Sequence, residues 1–200
     1  MLGTPLGSDA FVRQHVHERI ADEQRLWDAI PEVPGLQCAW QLLLQCAGPR
    51  ANHFLRTLPP SQSAEYARAH DQGMWTACQA LLGGLPGDEA SVEMARLIAS
   101  LPMRFGGLGL RSALRTAPAA YWASVADALG VLNRRLPTVA ASAVERRSAD
   151  HPPTRDASAI DEARWAGELL SREGFLQRPD WEQLRQGARP RQPLTREPGE

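Results

Sequence analysis

The sequence has no lysine, and all 22 of its basic residues are arginines. Cysteine is also scarce: the three present form no C-x-x-C pair and are too few for a disulfide scaffold, which is typical of a reducing compartment. No apolar run approaches the roughly 20 residues that a membrane span needs, and the amino-terminal residues lack the pattern of a signal peptide. We therefore expect an intracellular protein, nuclear or cytoplasmic, that does not contact a membrane.

Residues that favour β-strands are few. The chain contains 2 Tyr and 4 Phe, whereas Ala and Leu together exceed a quarter of its residues. Because Ala and Leu favour helices over strands, we predict an all-α fold. We expect an irregular helical bundle with a short glycine-rich turn or hairpin, in which strand character is confined to short pieces near residues 3–6 and 103–110.

Helical periodicity and the positions of proline and glycine delimit the predicted helices. Ser8 or Asp9, Asp88 and Thr116 are the expected amino-terminal caps, and Ser158 opens a capping box. The predicted helices cover about 9–30, 36–47, 51–58, 63–82, 89–100, 117–136, 138–147, 159–172 and 179–186. At the level of domains, we predict a helical region 1–147, a linker 148–157, a short helical extension 158–186 and a disordered, flexible tail 187–200.

Charge is distributed unevenly along the chain. The net charge of −1 excludes a uniformly basic nucleic-acid coat, yet residues 101–147 contain seven Arg against two acidic residues. Guanidinium groups bind phosphate in bidentate fashion and stay charged at any relevant pH, so this segment is a candidate nucleic-acid surface. The alternative is a solvated face whose arginines pair with acidic residues elsewhere. The arginines concerned are Arg104, Arg111, Arg115, Arg134 and Arg135.

Two local patterns suggest chemistry but have simpler interpretations. Gly106, Gly107 and Gly109 lack the G-x-G-x-x-G spacing and a Walker lysine, so we interpret them as a turn that brings the backbone close to another element. His70 and Asp71 form the adjacent pair that HD-type metal-dependent phosphohydrolases use. However, His70 lies on the apolar stripe of its helix, as a packed histidine would, so we predict no metal and no cofactor.

Three segments, in this order along the chain, resemble one known family. They are LGTPLGSDAFV (2–12), LQCAWQLLLQCAGPRANHFLRTLPP (36–60) and LPMRFGGLGLRSALRTAPAAYWASVADAL (101–129). They resemble the region that follows the catalytic palm in the reverse transcriptases of non-LTR retrotransposons. The resemblance covers residues 2–136. Within it, Leu2-Gly3 and Leu6-Gly7 resemble the hairpin that forms the primer grip at the junction of palm and thumb.

The resemblance implies a helical thumb that lies against the primer–template duplex and contacts its backbone rather than its base edges. It also implies that the polymerase aspartates belong to a palm that precedes this region, and the chain has no Asp-Asp dipeptide. We therefore expect no polymerase activity from these residues. The expected partners are an RNA–DNA or DNA duplex, held by its phosphates, and the missing palm domain where the chain is part of a longer protein. The candidate contact residues are Arg50, Arg56, Arg104, Arg111 and Arg115.

Three functional hypotheses follow. The first is a catalytically incomplete fragment of a retrotransposon reverse transcriptase that binds nucleic acid weakly and without sequence preference. The alternative is a helical protein-interaction module or a non-functional relic, and the third is an HD-type hydrolase. Because a thumb packs its base on a palm, the first hypothesis predicts exposed apolar side chains near the amino end, at Leu2, Leu6 and Phe11.

Overall fold

The structure, a computed structural model, describes residues 4–84, 87–147, 159–174 and 178–189, and within these ranges it contains helices and no strand. The prediction of an all-α fold is thus confirmed. Within the same ranges, no helix combines the length and apolarity that crossing a membrane would take. The α-helices are α1 (Asp9–Ala29), α2 (Leu36–Gln41), α3 (Ala51–Thr57), α4 (Pro60–Leu81), α5 (Glu89–Ser100), α6 (Ala113–Arg135), α7 (Pro137–Arg147), α8 (Ala159–Arg172) and α9 (Trp181–Arg185).

Shorter helical turns connect several of these helices. A π-helical segment, Leu42–Ala47, continues α2, and 3₁₀ turns occur at Ile30–Glu32, Gly48–Arg50 and Met103–Phe105. The predicted piece of strand near residues 103–110 is therefore wrong, because its first residues form one of these 3₁₀ turns. The described part of the piece predicted near 3–6 has no regular structure, and residues 1–3 lie outside the described ranges.

Local capping signals set several helix ends. The hydroxyl of Ser8 accepts a hydrogen bond from the amide of Phe11 at 3.4 Å, and the carboxylate of Asp88 accepts one from the amide of Ser91 at 2.9 Å. Both caps are those that the sequence predicts, because an N-cap satisfies amides only two or three residues away. The predicted capping box at Ser158 lies outside the described residues.

The start of α6 differs from its prediction. The helix begins at Ala113 rather than after Thr116, and Pro118 consequently lies inside it. Thr116 is no cap, since its hydroxyl donates to the carbonyl of Ser112 at 2.7 Å. The first two amides of α6 instead donate to the carboxylate of Asp71, which belongs to α4. The hydroxyl of Ser112 accepts a hydrogen bond from the amide of Arg115 at 3.2 Å, so Ser112 is a local cap that the prediction overlooked, whereas the contribution of Asp71 leaves no signal in the adjoining sequence.

The chain divides into two compact units. The first comprises residues 1–58 and 62–117, and the second comprises residues 59–61 and 118–200. Each has its own apolar core, with Trp27 and Trp75 buried in the first and Trp122 and Leu184 buried in the second. Trp27, Trp75 and Trp122 thus pack in the cores of their units. The predicted linker 148–157 lies outside the described residues, and the predicted domain boundaries stay predictions.

The glycine-rich segment folds back over the carboxyl end of α5. Gly106 has a φ of +81°, a conformation that glycine adopts without strain. The amides of Leu108 and Leu110 both donate to the carbonyl of Ala99, at 3.1 Å each. A Cβ on Gly107 would lie 2.1 Å from the carbonyl oxygen of Leu101. The predicted close approach of the backbone to another element is thus confirmed.

We expect Gly107→Ala to lower the free energy of unfolding by at least about 2 kcal/mol, because the new methyl group would collide with a backbone carbonyl that cannot move aside. Urea denaturation followed by tryptophan fluorescence measures this loss. Gly106→Ala is the control: nothing lies within 4 Å of a Cβ there, so only the cost of the positive φ, about 1 kcal/mol, should appear. Equal losses for the two variants would contradict the steric explanation.

Candidate functional site

Three of the five predicted nucleic-acid-binding arginines lie on or beside the glycine-rich turn of the first unit. Arg104 belongs to the 3₁₀ turn, Arg111 follows the glycines, and Arg115 lies in the first turn of α6. All three side chains are exposed. Among the described residues, no carboxylate lies within ion-pair distance of any of them. The described part of the chain therefore leaves three positive charges on this surface without a partner of opposite sign.

The backbone between these arginines is firmly held. Asp71 accepts hydrogen bonds from the hydroxyl of Ser112 and the amide of Ala113, both at 2.6 Å, and from the amide of Leu114 at 3.2 Å. On the other side of the turn, the guanidinium carbon of Arg104 lies 4.8 Å from the ring centroid of Phe105, a cation–π contact. The arginines are thus carried on a frame that α4 and α5 fix in place.

The other two predicted arginines have different surroundings. The Nε atom of Arg50 lies 3.5 Å from Oε1 of Glu23, a fully buried carboxylate, and its side chain is only partly exposed. Arg56 is exposed, but it already makes an interaction within the chain. A role of either residue in binding nucleic acid stays a prediction.

Glu23 is the centre of a buried polar cluster in the first unit. The hydroxyl of Tyr66 donates to its Oε1 at 2.8 Å, Nδ1 of His70 lies 3.1 Å from its Oε2, and Nε of Arg19 lies 3.0 Å from its Oε1. Together with Arg50, these contacts tie α1 to α4 and to the turn that precedes α3. Glu23 was not predicted from the sequence, although an acidic residue on the apolar stripe of α1 is a usable signal.

Burial and hydrogen bonding shift the pKa values in this cluster in opposite directions. Burial alone would raise the pKa of Glu23, but the hydrogen bonds with His70 and Tyr66 and the electrostatic interactions with His70 and Arg19 outweigh it, so the pKa is lowered. Burial and the negative charge of Glu23 raise the pKa of the Tyr66 phenol well above its usual value. A carboxylate that stays ionised and a phenol that stays protonated, both shielded from solvent, stabilise the fold rather than act on a substrate.

The adjacent His70 and Asp71 face different partners. His70 contacts Glu23 and packs edge-on against Trp27, with ring centroids 5.6 Å apart, whereas Asp71 caps α6. The prediction that His70 is a packed histidine is confirmed. The part of the chain that the structure describes contains no group of three or more His, Cys, Asp or Glu residues able to hold a metal ion. The HD-type hypothesis therefore has no support among these residues.

The residues that resemble a primer grip are only partly described. Leu2 and Gly3 lie outside the described ranges, and Leu6 and Gly7 form no strand. Leu6 is 86% exposed and Phe11 is 50% exposed, which confirms the predicted apolar exposure at these two positions. Leu2 is not among the described residues.

One prominent surface feature was not predicted from the sequence. Six large apolar side chains on α5 and the turn that follows it are exposed, from 42% for Leu101 to 64% for Phe105. We call this set the α5 face, and it consists of Met94, Leu97, Ile98, Leu101, Met103 and Phe105. The spacing of its helical members was visible in the sequence, but periodicity shows only that they share a side of the helix, not whether that side is covered.

We expect Glu23→Gln to lower the free energy of unfolding by about 3 kcal/mol at neutral pH, because it removes the charge that compensates Arg19 in a buried setting. The pKa of Glu23 is lower in the folded chain than its ordinary value of 4.5, so this stabilisation is present above that pH and is lost as the pH falls through the folded pKa. Urea denaturation at several pH values should show the difference from the wild type shrinking on acidification.

The matched control for this variant is Glu18→Gln, which makes the same change at an exposed position of α1. It should change the free energy of unfolding by less than about 0.5 kcal/mol. A difference between Glu23→Gln and the wild type that does not depend on pH would show that the charge of Glu23 is not what stabilises the fold.

Comparisons with known proteins give one similarity. No protein-family model and no solved structure matches this chain. The 132 kDa protein of the retrotransposable element SLACS of Trypanosoma brucei gambiense is 29% identical over 111 residues, which are 55% of this chain and 9% of that protein. The chain therefore spans less than a tenth of that relative's length. This partial similarity supports a retrotransposon-related origin for the chain.

Proposed function

We propose that this chain is the thumb-side part of a retrotransposon reverse transcriptase, and that it holds a nucleic-acid duplex by its phosphates. The similarity to a retrotransposon protein, the helical fold and the resemblance of residues 2–136 to the region after the palm support this proposal. We propose further that the chain has no polymerase activity of its own. Support for this comes from its sequence, which resembles only the region after the palm and lacks an Asp-Asp dipeptide.

The observation that carries the proposal is the exposed trio Arg104, Arg111 and Arg115. Each guanidinium offers a fork of donors that matches a phosphate group, and the trio has no carboxylate partner among the described residues. The amino terminus of α6 cannot serve as the anion site in their place, because Asp71 already occupies its first amides. Recognition of a phosphate at this surface thus falls to the arginine side chains.

Contacts of this kind determine what sort of binding to expect. Arginine–phosphate contacts fix the position of a duplex but carry no sequence information. Each one releases counterions, so the logarithm of the affinity falls with the logarithm of the salt concentration by about 0.9 per contact on B-DNA. The proposed activity is therefore sequence-independent and strongly salt-dependent.

We expect the double variant Arg111→Ala/Arg115→Ala to bind duplexes more weakly than the wild type, because it removes two phosphate contacts. The loss of affinity should be the same for duplexes of unrelated sequence. The slope of log affinity against log salt should fall by about 2. Fluorescence anisotropy with a labelled DNA duplex and a labelled RNA–DNA hybrid, each titrated over a series of salt concentrations, measures both quantities.

A matched control removes the same charge elsewhere in the first unit. Arg13 and Arg68 are exposed arginines outside the turn, and Arg13→Ala/Arg68→Ala should leave the salt slope unchanged. Equal losses of affinity in the two double variants would show that net charge alone causes the effect. No binding of the wild-type chain to either duplex at low salt would refute the proposed function.

A helical protein-interaction module is the second candidate function, and the α5 face is the observation that favours it. A contiguous group of exposed, large apolar side chains is a common mark of an interaction site. The two candidates use different residues, since Arg111 and Arg115 do not belong to the α5 face, and they can be tested separately.

A further inference from the structure

The orientation of α5 is fixed by its inner side. Ala99 is buried, and Val92 and Ala95 pack against the core of the first unit. The opposite side therefore has to point outward, and it carries the helical members of the α5 face. These are Met94, Leu97 and Ile98, which occupy positions i, i+3 and i+4 and extend over about 6 Å of the helix axis. Leu101, which follows the last residue of α5, continues the α5 face with an extended backbone.

The two ends of the α5 face carry opposite charges. Glu89 and Glu93 are exposed near its amino end, where Asp88 caps the helix. Arg104 is exposed at its carboxyl end, next to Phe105. The face therefore runs from an acidic to a basic end.

This charge pattern restricts the kind of partner that fits. A phosphate backbone or an anionic membrane laid along the face would meet the carboxylates at its amino end, so neither is favoured. A protein surface with an apolar centre would match it if the basic end of that surface faced the acidic end of the α5 face, and its acidic end faced the basic end. The same face of a second chain has this arrangement when the two helices run antiparallel.

We propose that the α5 face binds a second copy of this chain, with the two α5 helices antiparallel about a two-fold axis near Leu97 and Ile98. In such an isologous contact each interaction occurs twice. The acidic residues of one copy, chiefly Glu93, face Arg104 of the other, and the apolar side chains of both copies are removed from water. The dimer contact shares Arg104 with the proposed duplex-binding trio, but it needs neither Arg111 nor Arg115, so these two residues separate the tests of the two proposals.

The size of the face sets the expected strength of the dimer. Stable protein complexes bury about 20–30 residues on each side. The α5 face and its charged ends comprise fewer residues than this, so we expect a dimer with a dissociation constant in the micromolar range.

The first experiment is sedimentation velocity of the full chain, without nucleic acid, over a range of micromolar concentrations. The wild type should shift from monomer to dimer, and Leu97→Glu should raise the dissociation constant by at least about tenfold because it places a charge at the centre of the contact. Leu36→Glu is the matched control, since Leu36 is an exposed leucine of the first unit outside the face, and it should dimerise like the wild type. Circular dichroism verifies that each variant is folded.

The second experiment tests the antiparallel arrangement by reversing charges. Glu93→Arg and Arg104→Glu should each weaken the dimer, because both symmetric contacts then join like charges. An equimolar mixture of the two variants should dimerise again, since every contact in the mixed pair joins opposite charges. The double variant Glu93→Arg/Arg104→Glu should also recover the dimer.

Several results would overturn the proposal. A chain that is monomeric at every concentration excludes the dimer, and a dimer that Leu97→Glu leaves intact must use another surface. If neither the mixture nor the double variant regains association, the antiparallel pairing of Glu93 with Arg104 is wrong. Loss of duplex binding in Arg111→Ala/Arg115→Ala with dimerisation intact would support both proposals, because Arg111 and Arg115 take no part in the dimer contact.

Discussion

The hydrogen bonds that Asp71 accepts from the start of α6 determine where the arginines of the turn are held. Its carboxylate binds the hydroxyl of Ser112 and the first two amides of α6, and so fixes the chain between Arg111 and Arg115 to α4. A helix that starts with its amides satisfied begins at a defined residue, and the side chains of its first turn then have defined directions. The candidate nucleic-acid surface thus depends on a residue that does not belong to it.

A second carboxylate, Glu23, stabilises the same unit in a different way. It is buried, ionised and surrounded by donors from α1 and α4. Its surroundings explain why the pattern of His70 next to Asp71 was misleading as a sign of metal chemistry. The two residues are adjacent in sequence, but a helix rotates neighbouring side chains by about 100°, so one reaches the buried cluster and the other reaches α6.

The accuracy of the sequence predictions follows from how local each interaction is. The helix ends at Ser8 and Asp88 could be predicted because the capping residue lies next to the amides that it satisfies. At the start of α6 the local cap is Ser112 rather than the predicted Thr116, and the first two amides bind Asp71, which is 42 residues before Ala113 and leaves no local signal. The glycine turn was correctly predicted, whereas the short piece of strand predicted at 103–110 is wrong, because Met103–Phe105 forms a 3₁₀ turn.

The candidate surfaces show the same limit. Composition pointed to the arginine-rich segment, and the structure brings Arg104, Arg111 and Arg115 out to solvent. The α5 face could not be recognised as exposed from the sequence, because an apolar stripe has the same sequence pattern whether it is buried by another helix or exposed to water. Deciding between these two states requires knowledge of the tertiary packing around α5.

The close contact at Gly107 separates what the backbone requires from what the arginines would contribute. Because the carbonyl of Leu101 occupies the space of a side chain, the glycine is retained by steric necessity wherever the turn still folds. A related sequence that lacked every arginine around the turn would still need it. Glycine at this position in a related sequence therefore indicates an intact backbone and carries no information about nucleic-acid binding.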